Sequence, residues 1–119
     1  EGIQMAMNKV EAIIQPQKLT AVKDALAEAG FSGLNVVQVT GRGVQRGIVH
    51  QGRSGQPVVV DMLAKTKVEL VVRAEDTEKV IGVIIAAART GEIGDGKIFV
   101  YPVAQAIRVR TGERGEGIL

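Results

Sequence analysis

Thr90-Gly91-Glu92-Ile93-Gly94-Asp95-Gly96-Lys97-Ile98-Phe99-Val100 sets three glycines, with Asp95 and Lys97, between two apolar runs of different period. Upstream, Val80, Ile81, Ile84, Ile85 and Ala88 recur at helical spacing behind an acid-rich start, Ala74-Glu75-Asp76-Thr77-Glu78. Downstream, Ile98-Phe99-Val100 reads as a strand. Backbone N–H groups beside glycine, with a lysine adjacent, suit polyphosphate. The spacing G-x-x-x-x-G-K runs from Gly91 to Lys97, but Ile98 stands where a P-loop needs Ser or Thr for Mg²⁺. A P-loop also runs from strand to helix, and here the helix comes first. The stretch is therefore not a P-loop NTPase signature. It reads equally as a phosphate cradle or as a plain Gly-rich turn between helix and strand.

Working outward, Val10, Ala12, Ile13 and Ile14 predict a first strand ended by Pro16. Gln15-Pro16-Gln17-Lys18 opens a helix carrying Leu19, Val22, Ala25, Leu26 and Ala29, with Gly30 as its stop. Leu34, Val36, Val37 and Val39 predict a second strand. A third is expected from Val58 to Val72, a fourth at Ile98–Val100, and a short fifth at Ile107 and Val109. Between the second and third, five glycines (Gly41, Gly43, Gly47, Gly52 and Gly55) leave no core-facing period up to Pro57. Loops beyond about 12–15 residues in a compact domain are usually functional or disordered. The order β-α-β, long loop, β-α-β predicts an α+β, ferredoxin-like double βαβ with an antiparallel sheet. Its helices should cover one face and leave the other apolar and open, which favours an oligomer.

At 119 residues the chain suits one domain. Residues 1–6 precede the pattern as a tail, with Met5 or Met7 as the native start, and residues 7–119 form the domain. Phe31, Phe99 and Tyr101 are the sole aromatics and the net charge is +2 with scattered basic residues, so no nucleic-acid footprint stands out. The chain has no cysteine, which removes disulfides, thiolate metal sites and Cys nucleophiles and fits a cytoplasmic protein. No apolar run approaches the ~20 residues of a membrane span. Catalytic patterns are also missing. His50 is the only histidine and lies in the long loop, while Ser32 and Ser54 have no histidine partner. No H-x-x-x-H or C-x-x-C spacing is present. Arg108 and Arg110 stand at i and i+2, so on an extended segment both would point one way and suit a phosphate chain, although a solvated basic edge is the commoner meaning of that spacing.

The Thr90–Val100 block, the later Val103-x-x-Ala106-Ile107-Arg108-x-Arg110-Thr111-Gly112-Glu113 run and the opening Lys9-Val10-Glu11-Ala12-Ile13-Ile14-Gln15-Pro16-Gln17-Lys18-Leu19 together resemble the PII signal-transduction proteins. The resemblance extends from about Met7 to Glu113. It implies a homotrimer that binds ATP or ADP in clefts between subunits, with Mg²⁺ and 2-oxoglutarate beside ATP. It also implies a T-loop, here about residues 43–57, that docks on ammonium channels, nitrogenase or nitrogen-assimilation proteins. The protein would then be a sensor and not an enzyme, meeting a membrane only through a channel partner. By this resemblance Gly94, Asp95, Gly96 and Lys97 would hold the phosphates, Arg108 and Arg110 would reach across to them, and Ile13, Gly41 and Val71 would line the nucleoside. Gln45 would contact 2-oxoglutarate and the metal, Lys65 would pair with a 2-oxoglutarate carboxylate, and Arg46 and Arg53 would belong to the target-binding loop.

The chain departs from the family pattern in three places. Val44 stands where the family commonly carries a basic residue. The loop has no tyrosine, so uridylylation is expected to be absent, and Tyr101 is expected to be structural. The segment between Gly52 and Asp61 is about one residue longer than usual. The alternative implied by these departures is an adenylate sensor without a 2-oxoglutarate response, serving another pathway such as carbon uptake.

Overall fold

Alternation decides the first strand. In β1, Met7–Ile14, residues Val10, Ala12 and Ile14 are buried while Lys9, Glu11 and Ile13 between them are only half-buried, so the strand has a core face and a second face. The computed structural model describes residues 6–43, 50–51, 57–58 and 61–119. A 3₁₀ turn, Pro16–Lys18, leads into α1, Leu19–Glu28. Proline at the front of this turn loses nothing, because the first N–H groups of a helix have no partner in any case. The helix ends in a Schellman motif. Phe31 N–H donates to Leu26 O at 2.7 Å, Gly30 N–H donates to Ala27 O at 3.0 Å, and Gly30 adopts φ +99°. The chain then forms β2, Asn35–Gly43, two short strands β3, His50–Gln51, and β4, Pro57–Val58, and the long β5, Asp61–Arg73. A second 3₁₀ turn, Ala74–Asp76, opens α2, Thr77–Ala88, and the Gly-rich turn returns the chain to β6, Gly96–Val103.

The sheet order is β2-β5-β1-β6, with all neighbours antiparallel. This is the ferredoxin-like double βαβ. Val22 and Leu26 of α1 and Val80, Ile84 and Ala88 of α2 pack on Val10, Ala12, Ile14, Val68, Leu70 and Val72. Each Val, Leu or Ile side chain among them contributes about 1.5–3 kcal/mol by leaving water. Thr66 and Thr77 are the buried polar residues of the described part. Thr77 Oγ1 accepts from Asn8 Nδ2 at 3.0 Å and Thr66 Oγ1 lies 3.4 Å from Gln38 Oε1.

Three expectations need correction. The third strand does not run from Val58. Val58 pairs with His50 in the separate β3–β4 ladder, and the main-sheet strand starts at Asp61. The fifth strand is only a single bridge, Ile107 to Arg114, because the chain turns back at residues 109–111. The face away from the helices is not simply apolar. Lys9 Nζ lies 3.7 Å from Glu11 and 3.6 Å from Glu69 and sits 4.9 Å over the Tyr101 ring. Exposed Val37 and Phe99 flank this charged centre.

Candidate functional site

The turn between α2 and β6 is held by its own acid. Asp95 Oδ2 accepts from the backbone N–H groups of Thr90 and Gly91, both at 2.8 Å, and Oδ1 accepts from the Thr90 hydroxyl at 2.5 Å. The Thr90 hydroxyl, then the Thr90 and Gly91 amides, hold the carboxyl below its ordinary value of 3.8. The Asp95 carboxylate thus faces the turn's own donors. Gly91, Gly94 and Gly96 all have positive φ, where side-chained residues are strained. Gly96 has a second reason to be glycine: a Cβ there would lie 1.8 Å from Ile13 O.

A second set of contacts pins the middle of the turn. Lys65 Nζ donates to Gly94 O at 2.6 Å, and Gln15 Nε2 donates to the same oxygen at 3.2 Å. Gln15 carries no sequence signal for this role, and only the register Ile14↔Gly96 brings it near. Lys97 pairs with Ile13 across β1–β6, so the two share the face away from the helices. Lys65 pairs with Val39 and Gly41 with Leu63, beyond the Ile14 end of β1. One end of the sheet therefore gathers Ile13, Gly41, Lys65 and Gly94–Lys97. A cavity of about 340 Å³ also opens beside this turn, on the helix side, lined by Ile14, Ile81, Ile84, Ala88 and Arg89.

Arg108, Arg110 and Val71 are not part of that cluster. Val71 pairs with Lys9, four residues along β5 from Lys67, which faces Ile13, a separation of roughly 13 Å. The tail carrying the arginines follows Val103, which pairs with Met7 at the far end of β1. At that end Arg73 Nε lies 4.0 Å from Glu116 Oε1 in an exposed ion pair. The eight residues of β6 span roughly 23 Å between the two ends. The segment carrying Arg108 and Arg110 is not the extended run on which the two would point one way. Residues 109–111 form a turn, Arg108 pairs with Glu113 Oε1 at 2.9 Å, and Arg110 is exposed. Gln45, Arg46 and Arg53 lie outside the described residues.

Among the described residues no group of three or more His, Asp or Glu is placed to hold a metal ion. No helix among them is long and apolar enough to cross a membrane.

Residues 7–113 match the family model described as Nitrogen regulatory protein P-II. The chain is 54% identical over 110 residues to the Nitrogen regulatory protein P-II of Rhodobacter capsulatus, covering 92% of this chain and 97% of that one. It is 48% identical over 110 residues to Nitrogen regulatory protein P-II 2 of Methanothermobacter thermautotrophicus, covering 92% and 95%. Among solved structures it resembles that of Arabidopsis thaliana PII bound to citrate, with a TM-score of 0.77, 45% identity and coverage of 96% and 92%. A match this long joins the glycine turn, the sheet order and the arginine tail in one pattern, and the chain belongs to the nitrogen regulatory P-II family of signalling proteins.

Proposed function

We propose that the protein is a trimeric sensor in which each site is built from two copies. The turn end of one subunit (Gly94, Asp95, Gly96 and Lys97, with Ile13 and Gly41) meets the tail end of the next (Arg108, Arg110 and Val71). ATP or ADP lies between them. The observation that carries this reading is the separation of the two residue sets at opposite ends of one sheet. A head-to-tail ring reunites them, and such heterologous contacts close when the rotation permits. Lys97 and the arginines then oppose the phosphates. The protein acts as a sensor that does not turn over the nucleotide; among the described residues no base or nucleophile stands beside Lys97.

Mg²⁺ binds through nucleotide phosphates and few protein ligands, so the lack of an acidic cluster among the described residues is compatible with it. Gln45 completes the ion's surroundings together with 2-oxoglutarate. Lys65 meets a 2-oxoglutarate carboxylate. An ammonium has three donors, so the one given to Gly94 leaves two. The citrate bound to the Arabidopsis relative is a polycarboxylate and supports a carboxylate-accepting family site. Ligands that touch Gln45 and Lys65 select the conformation of the loop at about residues 43–57. Through that loop, with Arg46 and Arg53, the protein regulates cytoplasmic nitrogen-metabolism targets such as an ammonium channel.

Subunit complementation tests the shared site. Lys97→Ala and Arg110→Ala homo-oligomers should each lose most ATP binding. An equal mixture, dissociated and reassembled, should regain about a quarter of the sites, because each site draws one half from each neighbour. No recovery in mixed oligomers that have formed would place both groups in one subunit and refute the arrangement. Calorimetry with 2-oxoglutarate then decides the input. Gln45→Ala should keep ATP and lose 2-oxoglutarate. A wild-type protein that binds ATP but ignores 2-oxoglutarate would instead be an adenylate sensor, the reading favoured by Val44.

A further inference from the structure

Arg108 is held by an acid of its own chain. Its Nη1 lies 2.9 Å from Glu113 Oε1, and its Nη2 lies 3.5 Å from Ile118 O. The backbone between arginine and acid is closed into a tight loop. Arg108 N–H donates to Glu113 O at 2.8 Å, Gly112 N–H donates to Arg108 O at 2.7 Å, and Glu113 N–H donates to Thr111 Oγ1 at 3.1 Å. Gly112 takes φ +75° to make this closure. The loop therefore fixes both Cα positions without help from the ion pair.

The ion pair itself remains open to water, with side-chain exposures of 38% for Arg108 and 60% for Glu113. A guanidinium offers the same planar fork to a carboxylate and to a phosphate. An exposed pair of this kind is weak and can be displaced.

We propose that Glu113 is an internal competitor for the nucleotide's phosphates. Its carboxylate occupies Arg108 in the free protein, and a polyphosphate must displace it to gain the arginine. Glu113 then swings into solvent while the backbone loop keeps Arg108 in place. The acid thus sets a threshold for nucleotide binding and spares Arg108 from single anions. This inference rests on the reading above, in which Arg108 meets the phosphates.

The test is calorimetric titration of ATP and of ADP into the full chain, its Glu113→Gln variant and a Glu116→Gln control. The control removes the same charge from the same tail, but from an acid paired with Arg73. Glu113→Gln should bind both nucleotides about two- to fivefold more tightly, the range set by an exposed ion pair, and Glu116→Gln should match the wild type. Unchanged or weaker binding by Glu113→Gln would overturn the proposal, weaker binding making Glu113 a residue that positions Arg108. Equal tightening by both variants would also overturn it, as a mere effect of net charge. A wild-type chain that binds no nucleotide refutes the underlying reading, and the competitor with it. A wild type that binds while Glu113→Gln does not differ refutes the competitor alone.

Discussion

The triplet Thr-Gly-Glu occurs twice, at Thr90-Gly91-Glu92 and Thr111-Gly112-Glu113, and the two copies fold alike but close differently. In each, the glutamate N–H donates to the threonine hydroxyl oxygen at 3.1 Å, and the glycine takes a positive φ, +89° and +75°. Around the first copy, Asp95 closes the turn by taking backbone N–H groups. Around the second, backbone hydrogen bonds close the loop and the Glu113 carboxylate takes the Arg108 side chain. The first arrangement uses its acid on the backbone, not on Lys97. The second uses its acid on the cation itself. One local motif thus serves two ends of the sheet with opposite electrostatic outcomes, decided by the residue that meets it from outside.

Gly96→Ala should break the first turn most severely. A Cβ 1.8 Å from Ile13 O at φ +112° forces the β1–β6 pairing apart. A destabilisation of roughly 2–5 kcal/mol follows from overpacking plus backbone strain, read as a lowered midpoint in urea. Gly112→Ala meets only open space and suffers the φ strain alone, so its loss should be about 1–2 kcal/mol. Equal losses would show that the two turns do not differ in packing.

Lys97→Ala should weaken ATP binding about 10- to 100-fold, as for a charge-assisted hydrogen bond, without moving the melting temperature. A large drop in that temperature would make Lys97 a folding residue.

Acid should separate the two turns as well. The folded carboxyl of Asp95 titrates below its ordinary value, so its contribution is complete above about 3.8 and is lost as pH falls through the lower folded value. The amide resonances of Thr90 and Gly91 should hold steady at neutral pH and move only in acid below that value. In Asp95→Ala the same resonances should already sit at their shifted positions at neutral pH. Movement near neutrality would point to another group.

The finest comparison is Thr90→Ala against Thr111→Ala. Both lose a hydrogen bond from a glutamate amide, worth about 0.5–1.5 kcal/mol. Thr90 also donates to Asp95, so its variant should be the less stable of the two in denaturant titration.

Much of the fold was legible because period and punctuation agreed. The alternation in β1, the helical stripe of α2 and the stop at Gly30 each named an element that the structure contains. The start of the third strand was misplaced because Val58 looks like any strand residue, and β propensity does not say which partner it will find; Val59 and Val60 lie outside the described residues. The open face was misjudged because Glu69 reaches Lys9 and Glu11 only through the register of β5 on β1. At the site, glycine and lysine were readable as a turn with a cation. The grip of Lys65 and Gln15 on one carbonyl was not, since it spans 29 and 79 residues of chain. The Arg108–Glu113 pair was missed for a local reason. Spacing at i and i+2 assumed an extended backbone, and the turn at 109–111 removed it.

The pairing of Gly43 with Asp61 has a consequence for evolvability. It plants both feet of the intervening segment side by side at the end of two long paired strands, so the sheet does not depend on what lies between them. Lengthening a closed segment of about seventeen residues by one costs only about 0.05 kcal/mol in closure entropy. One more residue in that segment would therefore be nearly free for the fold. A lineage can rewrite that segment without solving the folding problem again.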